Sequence, residues 1–437
     1  MKKISVGVVC LARHTFDVPA ATELFERTKR ELRSMPEVHF EIIEEPVIET
    51  DDAEAAGAIL SEKHLDGIVI ISGTFHLGHL ALILHKHIQK PVLLWAYEEL
   101  PYNGGKIRLN AVCGVNLNAS NFYKAGIDNY TCHIGNTLDT DWLNAIRVKA
   151  ILRSAHVGIA GYRAHGFFNL DTEDLHVFHE LGLLVDHYEL SELYEQETAD
   201  RGGYEHDIAA LDCSGITDNQ AEKVARLAAS MEEFIKKNKL DGVAVRCWPE
   251  FATAYGIAPC AAMALLTDRG YTLGCEGDLE GTLSLLACRA LSDEAPFMAD
   301  LSQVDFAGDY ALMWHCGVAA ASLAHPKTVK SLDTYFAGGK GVTTDFVMKE
   351  GIVTLFRIDT ARGKTRVFIE RGHAEYMEKE LRGTYAKLHF DNHVREVFGL
   401  VADNGIAHHV AMVYGDYIKV FSTFAAMMGY EVVTTLK

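Results

Sequence analysis

The chain has 437 residues, 49% of them apolar and 23% charged. That length makes two to three domains at ~150 residues each, with ample core material. Sixty acidic side chains against 41 basic ones leave a net charge of −19, which argues against nucleic acid or an anionic membrane surface as partner.

The opening MKKISVGVVCLARHTFD has lysines and then a short apolar run, with charge returning at Arg13. It reads as a first β-strand and not a signal peptide. No apolar stretch approaches the ~20 residues needed to span a bilayer. Nine scattered cysteines with no CxxC pair read as reduced thiols and place the chain in a reducing cytoplasm.

An amphipathic helix is predicted over 19–34, with proline at its start. Then follow VHFEIIEEPVI as a strand, a helix over 52–63, DGIVIISG as a strand, a further helix, and PVLLWA as a strand. This alternation predicts a parallel sheet with crossover helices. YNGGKIRLNAVCGVNLNASNFYKAGI reads as loop-rich. Near residue 151 the pattern restarts with AHVGIAGYRAHGF, a helix over 171–181, LLVDHYEL, and a long helix over 216–239.

Beyond residue 295, GVTTDFVMKEGIVTLFRIDTARGKTRVFIERG alternates apolar and polar residues around KEG and ARGK turns, the pattern of antiparallel strands. The fold class is therefore α/β: two Rossmann-like parallel-sheet domains, 1–150 and 151–295, then a β-rich, barrel-like domain over 296–437.

The chemistry concentrates in 240–281. CWPEF follows the strand GVAV, and CEGDLEG follows YTLG. Ligands gather at the carboxyl ends of parallel strands, so Glu250 and the Glu276/Asp278 pair are expected in one crevice. Such oxygen ligands suit a hard divalent cation. In an extended segment Glu276 and Asp278 point to the same side; equally, Asp278 caps the helix that LEGTLSLLACRAL predicts. His408 and His409 are adjacent before an apolar strand, so at most one is expected at a given site. WHCG at 314–317 makes His315 either a substrate contact or a core residue. NGGK and AGGKG lack phosphate-loop spacing and read as turns.

Three stretches resemble the L-fucose isomerase and L-arabinose isomerase superfamily: Pro249–Glu250, CEGDLEGTLSLL at 275–286, and AHHVAMVYGD at 407–416. The resemblance implies an aldose–ketose isomerase working through an enediolate. Its metal ligands would be Glu250, Asp278 and His409, with Glu276 a rival to Asp278 and Gln303 nearest to a further ligand. Glu250 and Asp278 would form the acid/base pair. The implied ion is Mn²⁺, with Mg²⁺ or Co²⁺ as alternatives.

The resemblance also implies a homo-oligomer, a hexamer, whose active site lies at a subunit interface. Arg13 and His14 would then serve a neighbour's pocket. Arg163, His165, Trp248, Glu276 and His315 are the remaining candidates for substrate contact. The expected substrate is a free monosaccharide, with an anionic sulfosugar of the sulfoquinovose type as the alternative. A non-catalytic sugar-binding protein of the same fold is the alternative of another class.

Overall fold

The computed structural model describes residues 3–195 and 201–436. The chain divides into two compact units, residues 1–150 with 423–430, and residues 151–422 with 431–437.

The first unit is built on β1 (Ile4–Leu11), β2 (Val38–Ile42), β3 (Gly67–Ser72), β4 (Val92–Ala96) and β5 (Tyr130–Ile134). They form one parallel sheet in the order β2-β1-β3-β4-β5. The crossovers are α1 (Val18–Arg33), α2 (Thr50–Ser61), α3 (His79–His87) and α4 (Ala111–Lys124), and α5 (Thr140–Ser154) follows β5. Strands β3 and β4 are buried throughout, which explains their continuous apolar runs.

Helix α4 corrects the loop-rich reading of that stretch. Its asparagines lower helix propensity, yet Ala111, Val115, Asn118 and Phe122 recur on one buried face. The Asn118 side-chain amide donates there from Nδ2 to His76 Nε2 at 3.0 Å. Tertiary packing and that bond override propensity.

The second unit opens with β6 (His156–Ala160), α6 (Asp174–Leu181), β7 (Leu184–Tyr188), α7 (Gly202–Ala209), α8 (Asp218–Asn238), β8 (Gly242–Val245), α9 (Glu250–Ala254), α10 (Cys260–Asp268), β9 (Leu273–Gly274) and α11 (Leu279–Arg289). Its four strands are parallel in the order β7-β6-β8-β9. Strands β8 and β9 are neighbours, so the loops leaving their carboxyl ends lie side by side.

The chain continues through β10 (Phe297–Asp305), β11 (Tyr310–His315), β12 (Ser331–Asp333), β13 (Thr343–Val347), β14 (Gly351–Ala361), β15 (Lys364–Glu375), β16 (Thr384–Phe390), α12 (Val394–Asn404), β17 (His409–Tyr414), α13 (Ile418–Met428) and β18 (Glu431–Val433). A nine-stranded sheet results, in the order β12-β13-β16-β11-β10-β17-β14-β15-β18, with a further pairing of β15 to β16. That pairing closes β16, β11, β10, β17, β14 and β15 into a ring in which every neighbour is antiparallel. Closure removes the exposed edges of those strands, as the barrel-like expectation requires.

Helix α11 is buried from Leu279 to Cys288. It packs on β8 and β9 of the parallel sheet and on β14 and β17 of the barrel. This helix therefore brings the carboxylate turn at 275–281 against the barrel wall.

Candidate active site

The turn at 275–278 is not extended. Glu276 has φ +59° and Gly277 φ +75°, so Glu276 and Asp278 do not share a face through strand alternation. A Cβ at Gly277 would stand 2.3 Å from the Tyr162 carbonyl oxygen and 2.6 Å from Arg163 Cα, so only glycine fits. The turn is tied down by Gly277 N–H donating to the Val245 carbonyl at 3.0 Å and Ala164 N–H donating to the Glu276 carbonyl at 2.9 Å. A left-handed glutamate costs ~1–3 kcal/mol, held here by those contacts.

The Glu276 carboxylate is nearly buried. Its Oε1 accepts from the Trp248 indole N–H at 3.0 Å. Its Oε2 is buried and has no hydrogen-bond partner among the described residues. The Nε2 atoms of His408 and His409 each stand 3.6 Å from that oxygen, beyond hydrogen-bond length. Both histidines thus reach one site. Strand alternation does not separate them, because β17 begins only at His409.

Asp278 is the N-cap of α11, its Oδ1 accepting from Gly281 N–H at 2.8 Å. Arg357 donates to Oδ2 at 2.8 Å and to Oδ1 at 3.3 Å. His409 Nδ1 lies 2.9 Å from Oδ2. A carboxylate offers about four lone-pair positions, and four donors take them in a wholly buried setting. In this arrangement Asp278 caps α11 and holds His409 Nδ1, with every lone pair engaged. Burial alone would raise its pKa, but the Arg357 charge and the His409 bond hold it well below the usual carboxylate range.

Arg357, on β14, has no exposed surface and also meets Asp359 at 3.3 Å, Glu280 at 3.7 Å and the His409 carbonyl at 3.0 Å. Burial pushes the Glu280 carboxyl up to about 7.

His409 is buried. Since Asp278 is a carboxylate, His409 donates to it from Nδ1, which leaves Nε2 as the atom that could ligate a metal, an arrangement typical of metal-binding histidines. Asp300 is the cross-strand partner of His409 between β10 and β17, and its Oδ1 lies 3.5 Å from His409 Nε2. Burial raises the Asp300 carboxyl. Two overlapping groups could hold an ion, Glu276 with His408 and His409, and Asp300 with His315 and His409, their ligand atoms within 4.8 Å of one another. The orphaned Glu276 Oε2, the free His409 nitrogen and a second carboxylate fit a hard divalent cation.

Glu250 is not brought into either group. It opens the short helix α9, its side chain is 45% exposed, and Oε2 pairs with Arg246 Nε at 3.2 Å. Gln303 is exposed and lies within the irregularity in β10 between Leu301 and Val304. Arg163 stacks its guanidinium over Phe168 at 4.7 Å. It lines a hollow of about 430 Å³ together with Thr172, His187 and Gly277. His165 is exposed. Arg13 and His14, in the first unit, follow β1 and are half-buried and exposed respectively.

Three site residues were not singled out from sequence: Asp300, His408 as a site group, and Arg357. The signal for Asp300 and Arg357 was a charge inside an apolar strand, FMADL and TLFRID. Such charges are rarely buried without a partner.

Residues 7–145 match the model of the fucose/sulfoquinovose isomerase N-terminal domain, and residues 313–435 that of the L-fucose isomerase C-terminal domain. Fold and matches define an enzyme, an aldose–ketose isomerase, in place of a non-catalytic sugar binder. Proteins named sulfoquinovose isomerase are similar over nearly their whole length. That of Priestia aryabhattai is 26% identical over 446 residues, covering 99% of each chain. That of Alkalicoccus urumqiensis is 27% identical over 446 residues, covering 98% of this chain and 99% of its own. With these two domains together spanning more than half of its length, the chain belongs to the fucose/sulfoquinovose isomerase family.

Proposed function

We propose that this chain is a divalent-cation-dependent isomerase that interconverts an aldose and a ketose form of a sulfosugar of the sulfoquinovose type. The observation that carries the cation is the convergence of the unpartnered Glu276 Oε2 and the His409 Nε2 lone pair beside Asp300. The substrate class is supported by the full-length similarity to proteins named sulfoquinovose isomerase.

Glu276 and His409 would hold the ion, Mn²⁺ or a similar hard cation, with Asp300 beside them. When bound, such an ion polarises a sugar carbonyl and stabilises the charge that develops on an enediolate. The chain supplies the rest. Trp248 fixes Glu276, and Asp278 fixes His409. Isomerisation moves a proton between C1 and C2, and Asp300, its carboxyl raised by burial, is suited to carry one at Oδ2. Glu276 stays ionised, because His408, His409 and Trp248 outweigh its burial. Two carboxylates whose environments push them apart make an acid and a base.

A cytoplasmic homo-oligomer, a hexamer with Arg13 and His14 serving a neighbour's pocket, follows from the resemblance alone, and sedimentation tests it. No helix among the described residues is long and apolar enough to cross a membrane.

The test is ketose formation, followed by NMR, from sulfoquinovose, L-fucose and L-arabinose with chelator-stripped and Mn²⁺-loaded protein. Ketose from sulfoquinovose, lost on chelation, is expected. No ketose from any sugar with metal present sinks the isomerase reading. Ketose from neutral sugars only sinks the sulfosugar.

A further inference from the structure

His315 ends β11 and is 2% exposed. Its backbone carbonyl accepts from Thr384 Oγ1 at 2.9 Å. Its ring lies between Trp314 and His409, with interplanar angles of 17° and 22° and centroids 6.3 and 5.6 Å away. Strand and ring are therefore pinned.

The Cys316 backbone N–H points at His315 Nδ1 with 2.9 Å between the nitrogens. A backbone N–H can only donate, so Nδ1 must offer its lone pair. That leaves the ring neutral with its proton on Nε2. Nε2 is buried and has no hydrogen-bond partner among the described residues, an unsatisfied donor unless something fills the site.

His409 is wired the opposite way, with Nδ1–H on Asp278 and its lone pair at Nε2. Two adjacent imidazoles thus present opposite polarity to one site: a lone pair from His409 and an N–H from His315. Asp300 completes that side, within the group that includes both rings. An N–H cannot ligate a cation, but it can donate to an oxygen beside one.

We infer that His315 is not a metal ligand but a neutral hydrogen-bond donor, through Nε2–H, to a carbonyl or hydroxyl oxygen of the sugar at the cation site. This role rests on the isomerase reading above and adds to it a neutral donor for a sugar oxygen beside the cation site. A neutral donor suits that place, since an imidazolium would repel the cation.

The test compares wild type, His315→Phe, His315→Gln and His409→Ala. Three measurements are made: Mn²⁺ affinity of stripped protein, affinity of the metal-loaded protein for the sugar alcohol of the substrate, and kcat with KM. Both His315 variants should bind Mn²⁺ within about threefold of wild type. His315→Phe should lose about 10²–10³-fold in kcat and about tenfold in sugar-alcohol affinity. His315→Gln, which keeps an N–H donor, should recover part of both.

Mn²⁺ affinity falling as far as in His409→Ala would make His315 a ligand and overturn the proposal. Unchanged kcat and sugar-alcohol affinity in His315→Phe would make it a bystander. Should His315→Phe not fold, ¹⁵N spectra of histidine-labelled wild type read the tautomer directly, and an Nδ1–H form at His315 refutes the inference. If wild type converts no sugar, the isomerase reading fails, while Mn²⁺ affinity and tautomer still decide the wiring of His315.

Discussion

Replacing Asp278 with asparagine isolates the orienting role assigned to that residue. Four donors converge on its carboxylate: Gly281 N–H, two Arg357 nitrogens and His409 Nδ1. An amide keeps the shape but turns one oxygen into a donor, which then faces N–H groups. Either the cap or the His409 bond fails. Loss of such an outer partner typically weakens metal binding ~10–100-fold, or about 1.4–2.7 kcal/mol. Stability should fall as well, because Arg357 loses its best-placed counter-charge; breaking a buried pair costs ~3–5 kcal/mol. The lower end is expected, since Asp359 and Glu280 still face the guanidinium.

The folded Asp278 carboxyl lies below its unfolded value, so its contribution is complete above about pH 4 and fades as the pH falls. The assay is calorimetric Mn²⁺ titration at pH 7.5 of wild type, Asp278→Asn, His409→Ala and the double variant. If Asp278 acts through His409, its replacement does little once His409 is gone. Penalties that add to within about 0.5 kcal/mol would show Asp278 touching the metal independently and refute the orienting role.

Glu276 raises the pKa of His408 against the opposing effect of burial, so an incoming cation should expel the His408 proton. Mn²⁺ affinity should therefore rise with pH through the histidine range, with proton release at pH 6.5 visible as a buffer-dependent binding enthalpy and absent in His408→Asn. Glu280 binds its proton more tightly folded than unfolded. Its contribution is complete below about pH 4.3 and is lost as the pH rises toward 7. Glu280→Gln should flatten that decline and gain up to roughly 3 kcal/mol at pH 8; urea unfolding of stripped protein at pH 5 to 8 that keeps the wild-type slope would contradict the burial argument. Trp248→Phe removes the N–H that holds Glu276 and should weaken Mn²⁺ binding about tenfold, and wild-type indole fluorescence should respond to Mn²⁺ in a way the variant's does not.

Local pattern was enough for much of the framework. Short, β-branched-rich apolar runs such as GIVIIS and VLLWA read as strands buried on both faces, and their alternation with helices specifies parallel sheets. The alternation in GIVTLFRIDTA and KTRVFIERGHAE, around a Gly-containing turn, specifies an antiparallel hairpin. The helix-cap reading of Asp278 was also legible, because Asp before LEGTLSLL is a local signal.

The composition of the site was not legible locally. Whether Glu276 or Asp278 faces a cation depends on the left-handed backbone at Glu276 and Gly277, and that conformation is imposed by Tyr162 and Arg163, more than a hundred residues away in sequence. Asp300 and His409 become neighbours only through the β10–β17 register, and the barrel delivers Arg357 to Asp278. The amino-acid order by itself determined two parallel sheets, a β-rich third part and a stretch over 240–281 rich in candidate ligands. The tertiary structure decided which carboxylate keeps an unpaired oxygen. Lone pairs are consumed by donors from other elements, and no local pattern records how many arrive.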